Sequence, residues 1–245
     1  MKRLLLLSFT IAAALTLNAQ GFKNILKKDS NGKTGLQKML QKPSGQNLSS
    51  EEIANGLKEA LTVGANNASH QLSQVDGFFK DAAIKILMPP EAQKVEKKLR
   101  ALGMGKLVDD AILSMNRAAE DASKNAAAIF VNAIKQMTIQ DAVGILKGGD
   151  FAATNYLKQK TTASLTESFR PVIEASLKKV DATKYWNLVF STYNKFSIEK
   201  VNPDLPAYVT EKALSGIFLQ VGLEEQKIRK DPVARTTDLL KKVFG

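Results

Sequence analysis

From Ser49 onward, apolar residues recur three and four positions apart, and almost every stretch of the chain reads as helix. Ser49-x-x-Glu52 forms a capping box, in which each side chain satisfies the other residue's orphan backbone N–H. Ile53, Leu57, Ala60 and Leu61 follow at helical spacing until Asp76-Gly77 breaks the pattern. Ile84, Ile86 and Met88 then alternate with Lys85 and Leu87 ahead of Pro89-Pro90. That alternation is extended, but no comparable second stretch exists to pair with it, so it is expected to be a buried extended connector. Pro90 suits the first turn of a helix reaching about Leu102 and closed by Gly103.

The longest helix is expected over about 106–136, with a stripe of Val108, Ile112, Met115, Ala119, Ala122, Ala126, Ile129, Phe130 and Ala133. Its many alanines make it narrow, so neighbours pack close to its backbone and it should be the central element. Thr138 and Asp141 open a short helix that ends at Gly148-Gly149, and Asp150 caps the next, through Tyr156. Pro171 is expected to kink or restart a helix. Asp181 caps a helix carrying Tyr185, Trp186, Val189 and Tyr193, and Asn202-Pro203-Asp204 is a turn. Leu205 to Arg229 is helical, and Asp231-Pro232 starts a last amphipathic helix with Val233, Leu239, Leu240 and Val243. No repeat of fixed period emerges, which disfavours a solenoid. The expectation is an all-α single domain over 49–245, built around the long Ala-rich helix.

Ahead of it, Met1-Lys2-Arg3, the apolar run Leu4 to Leu17 and Asn18-Ala19-Gln20 describe a secretory signal peptide, residues 1–19, cleaved after Ala19. The run is shorter than the ~20 residues needed to span a bilayer. No Cys follows it, so acylation as a lipoprotein is excluded. The expected location is periplasmic or secreted, and the core must hold without disulfides.

Composition is that of a folded chain: 245 residues, 44% hydrophobic and 24% charged. The net charge of +11 is unevenly placed. Residues 20–48 read as a basic flexible linker in which Lys23, Lys27, Lys28, Lys33, Lys38 and Lys42 face only Asp29. Those lysines are candidates for contact with an anionic lipid or polysaccharide surface; a solvated arm is the plainer reading. From Ser49 on, 27 basic residues face 23 acidic ones, a near balance that argues against nucleic acid as a partner.

Several blocks in order carry a family likeness: Gly56-Leu57-Lys58-Glu59-Ala60-Leu61, Asp76-Gly77-Phe78, and Met115-Asn116-Arg117-Ala118-Ala119-Glu120. They continue with Gln136 to Ala142, Gly149-Asp150-Phe151-Ala152-Ala153-Thr154-Asn155-Tyr156, Tyr208 to Leu214, and Ile228-Arg229-Lys230-Asp231-Pro232. On these the chain resembles a bacterial family known as domain of unknown function 4197, over roughly residues 50–245. The resemblance implies an exported helical protein and brings no catalytic residues with it.

Known chemistries find little footing. Gly32-Lys33-Thr34 lacks the first glycine of a P-loop, position 27 being Lys27, and Gly103-x-Gly105 lacks a third, position 108 being Val108. One His, His70 near a helix end, and no Cys leave no metal-ligand set and no cofactor to expect. The adjacent acids Glu51-Glu52, Asp109-Asp110 and Glu224-Glu225 diverge around a helix and read as solvated faces, and Asp29-x-Asn31-Gly32 lacks the later ligands of a calcium loop. No nucleophile elbow or triad is present. Tyr185, Trp186 and Tyr193 beside Lys195 fit a core better than a stacking platform.

Three polar residues fall on or beside the apolar stripe of the long helix. With Ile112 at zero on the helical wheel, Asn116 falls at about 40°, Ser123 at about 20° and Glu120 at about 80°, within or beside a stripe centred near about 330°. A buried amide needs partners. Either Asn116 bonds a neighbouring backbone, at the kink before Pro171, with Arg170 or Arg229 neutralising Glu120; or Asn116, Glu120, Arg170 and Arg229 supply a polar pocket for a ligand. Two functions follow: a non-enzymatic envelope protein that binds a partner protein or a small or lipidic ligand, or a hydrolase whose two carboxyls, ~5–10 Å apart, come from distant helices.

Overall fold

Two helices start on reciprocal caps supplied by their own first turn. Ser49 Oγ accepts from the Glu52 N–H at 3.1 Å, while Glu52 Oε2 accepts from the Ser49 N–H at 2.8 Å, opening α1 (Ser50–Ser73). Thr138 and Asp141 make the same reciprocal pair ahead of α5 (Ile139–Lys147). Between them lie a 3-10 turn at Pro90–Ala92, α2 (Gln93–Ala101), α3 (Gly105–Ser123) and α4 (Ala126–Lys135); after α5 come α6 (Ala152–Lys179), α7 (Leu205–Lys230), a 3-10 turn at Pro232–Ala234 and α8 (Asp238–Phe244). The computed structural model describes residues 48–179, 186, 187, 191, 194, 195, 204–235 and 237–244, and no strand occurs among them. The fold is all-α. The linker lysines and the helix expected after Asp181 lie outside the described residues, apart from scattered positions such as Trp186, which is helical and buried.

α3 packs on α6, α1, α7 and α2, and α1 packs in turn on α3, α4, α5, α7 and α8. Ala118, Ala119 and Ala122, with Ala126 at the start of α4, have no exposed surface, so the narrow alanine face works as expected. The single helix expected over 106–136 is instead two. Ser123 Oγ bonds back to the Ala119 carbonyl, and the N–H groups of Lys124 and Asn125 turn to the tighter acceptors three residues back. Asn125 then reaches Ser168 of α6, and α4 leaves to pack on α1. Polar side chains competing for backbone groups account for the break.

The reverse happens at Pro171. It lies inside α6, a continuous helix of 28 residues, rather than restarting one. Leu157, Thr161, Leu165, Phe169, Ile173 and Leu177 recur every four residues and are all buried, so packing of one face outweighs the single backbone bond lost to proline. The last helix also begins later than Asp231-Pro232 suggests. Asp231 closes α7, its Oδ1 accepts from the Val233 N–H at 2.9 Å, and α8 starts only at Asp238. Arg235 donates to the Ile228 and Arg229 carbonyls, which fixes the exit from α7 and leaves Val233 86% exposed.

Candidate functional site

The Asp76-Gly77 break stops α1 abruptly. Asp76 takes φ +71°, and a Cβ on Gly77 would lie 2.5 Å from the Gln71 carbonyl oxygen, so the turn is closed tightly over the end of α1. This leaves the N–H groups of Phe78 and Phe79 facing α3. Glu120 Oε1 accepts from both, at 3.1 and 3.2 Å. Its Oε2 receives Arg117 at 2.7 Å, whose other nitrogen reaches Asp76 at 2.7 Å. Hydrogen bonds from Lys80 and then Arg117 hold the Asp76 carboxyl below its ordinary value; Glu120 and then Asp76 keep the Arg117 guanidinium charged.

One turn earlier on α3, Asn116 has no exposed surface. It accepts from the Ile86 N–H at 2.9 Å and donates to the Ile86 carbonyl at 2.8 Å and to Ile112 at 2.7 Å. The extended connector through Ile86 is thereby pinned to α3 as if to a neighbouring strand, which corrects the expected contact at the Pro171 kink. Arg117, three residues before Glu120, takes the place expected of Arg170 or Arg229. The sequence signal was present: Arg117-x-x-Glu120 is a helical ion-pair spacing ending on a buried position.

Arg170 and Arg229 lie elsewhere. Arg170 pairs with Asp204 at 2.7 Å on the surface. Arg229 donates to Glu225 at 2.9 Å and to the Ile145 carbonyl at 2.9 Å, tying α7 to the end of α5. Glu225 is the centre of a second buried node. Its Oε1 also accepts from the Ala153 N–H at 3.0 Å, and its Oε2 from the Thr154 N–H at 2.8 Å and Oγ1 at 2.7 Å. Thus α6 is capped by a carboxylate from α7, while Asp150 pairs with Lys230 instead. Glu224 is buried as well, accepting from Asn67 of α1 at 3.0 Å. The solvated face expected at Glu224-Glu225 is therefore wrong, because α7 is sandwiched between α1 and α6 at that point. Asn116 and Glu120 come together on α3; Arg170 and Arg229 join neither.

A groove of about 410 Å³ opens between the connector and α7, lined by Ile84, Lys85, Leu87, Tyr208, Lys212 and Leu219 among others. Tyr208 donates its hydroxyl to the Leu87 carbonyl at 2.8 Å, and burial pushes its hydroxyl up to about 12, with Glu91 and Glu211 adding to the shift. A Cβ on Gly216 would lie 2.6 Å from the Phe78 ring and 3.3 Å from Ile84 Cβ, so glycine lets the connector lie against α7. The sequence marks Ile84, Lys85 and Leu87 only as a connector and Tyr208 to Leu214 only as a family block; that they share a groove follows from the packing of two segments far apart. Among the described residues, no three His, Cys, Asp or Glu group to hold a metal ion, and no helix is long and apolar enough to cross a membrane. A family model described as "Protein of unknown function (DUF4197)" matches residues 47–245. No curated protein and no solved structure matches the chain.

Proposed function

We propose, for a chain that belongs to the DUF4197 family, a non-enzymatic role: an exported helical protein of the cell envelope that binds a partner protein or a small or lipidic ligand. The observation carrying this reading is the use made of the buried carboxylates. Glu120 and Glu225 each spend both oxygens on backbone N–H groups and on an arginine of their own helix. A carboxylate so bonded holds helix and turn starts in place, with both oxygens engaged inside the fold rather than turned toward a substrate. The basic, apolar and small-residue run of residues 1–19 supports export, and the lysines of residues 20–48 suit contact with an anionic surface.

The test is purification from the source cell under non-denaturing conditions, followed by native and denaturing mass spectrometry and N-terminal sequencing. A chain beginning at Gln20 in the envelope fraction, carrying an adduct that denaturation releases, is the expected result. A cytoplasmic chain retaining Met1, or ester or glycoside hydrolysis abolished by Glu120→Gln or Glu225→Gln with the fold intact, overturns the reading.

A further inference from the structure

Resting on that binding role, we propose that the groove between the connector and α7 holds an elongated amphipathic anion, an apolar chain ending in a carboxylate, with Lys85 and Lys212 meeting the acid group. Its volume, about 410 Å³, is of the size that ligand sites occupy. Two cross-contacts fix its course. Leu87 meets Tyr208 through a hydrogen bond, and Ile84 lies against Gly216, so the connector runs antiparallel to α7 along the groove. From Tyr208 to Leu219 the helix rises roughly 16 Å at 1.5 Å per residue, a length suited to an extended chain rather than a compact ring.

The walls are held before any ligand arrives. Asn116 grips Ile86 from behind and Tyr208 grips Leu87 from the side, so little ordering is left for binding to drive. Along this rigid course Leu87 and Leu219 remain 55% and 43% exposed, apolar surface that a hydrocarbon chain would cover.

Charge selects the head group. Among the described residues Lys85 pairs with no carboxylate; its ammonium stands over the Phe79 ring at 4.0 Å. Lys212 has only its neighbour Glu211, at 3.8 Å, and faces the Tyr208 ring at 5.6 Å. Two cations without close ion pairs beside an apolar floor are complementary to an anion with a hydrocarbon tail, and unfavourable to a cation of the same shape.

Calorimetric titration of the purified chain with dodecanoate, dodecanol and dodecyltrimethylammonium tests this, beside sedimentation with phosphatidylglycerol vesicles. Dodecanoate is expected to bind one per chain, at least about tenfold tighter than dodecanol, with the quaternary ammonium weakest. Lys85→Gln with Lys212→Gln should erase the preference for the acid, Lys→Arg at both positions should keep it, and Leu219→Trp should weaken dodecanoate and dodecanol alike without lowering the melting temperature. Equal affinity for dodecanol, an unchanged affinity in the double Gln variant, or binding to vesicles without binding to dodecanoate overturns the proposal. If dodecanoate fails while the native chain carries a different adduct or a co-purifying protein, this ligand class falls and the binding role stands; if it carries neither, both fall.

Discussion

Asn116 holds Ile86 by both halves of its backbone, accepting from its N–H at 2.9 Å and donating to its carbonyl at 2.8 Å, with neither residue more than 2% exposed. A lone extended segment inside a helical protein thereby obtains from one side chain the pair of bonds that a neighbouring strand would supply. Asn116→Ala strands two buried backbone groups and is expected to cost about 2–5 kcal/mol, read from the urea midpoint at constant slope. Asn116→Asp has almost the same volume but sets a carboxylate against the Ile86 carbonyl. It should be at least as damaging at neutral pH and recover partly in acid.

Glu120→Gln keeps the acceptor for Phe78 and Phe79 but turns an amide N–H₂ toward Arg117. A loss of about 1–3 kcal/mol is expected. Arg117→Met should couple to it, so that the double variant loses less than the sum of the two singles. Additive losses in a double-mutant cycle would show that the two side chains act apart.

Asp76 combines a left-handed backbone with a depressed carboxyl, and Asn tolerates the first while lacking the second. Because the folded carboxyl sits below its ordinary 3.8, its contribution is present above that value and is lost as pH falls through the folded one. Asp76→Asn should therefore fold normally and show a flatter acid limb of stability than the parent. An identical pH profile would show that Lys80 and Arg117 give the carboxylate no net support.

Thr154→Val removes one bond to a buried charge and is expected to cost about 1–3 kcal/mol. Glu225→Ala should cost more, about 3–5 kcal/mol, because Arg229 loses its partner at a largely buried position and two N–H groups of α6 lose their acceptor. Thermal unfolding of the two variants side by side gives the order.

Asp231→Ala tests the revised end of the chain. As an exposed residue bonding one N–H in a 3-10 turn, Asp231 should contribute less than about 1 kcal/mol. A cap of α8 would contribute more.

Local signals were legible wherever a helix terminus is closed by its own neighbours, as at Ser49 with Glu52 and Thr138 with Asp141. The wheel angles of Asn116, Ser123 and Glu120 also read true, since burial on α3 follows helical phase. What the sequence hid was partner identity. Glu120 answers to Phe78 and Phe79, and Glu225 to Ala153 and Thr154, across 41 to 72 positions of chain. The break at Lys124-Asn125 and the unbroken run through Pro171 depart from the sequence pattern for two different reasons. At Pro171 the packing of a buried face outweighs the local preference of proline, whereas at Ser123 to Asn125 a local side-chain bond to the backbone overrides the helical periodicity.

The capping of α6 by Glu225 makes that helix's beginning the property of another helix. Ordinarily the first turn of a helix frays on its own, and its amides exchange with solvent almost freely. Here the Ala153 and Thr154 amides are released only when α7 withdraws its carboxylate, so their exchange should report the opening of α7 rather than the fraying of α6. The start of α6 and the last turns of α7, 71 to 72 residues apart in the chain, should then open and close as one cooperative unit.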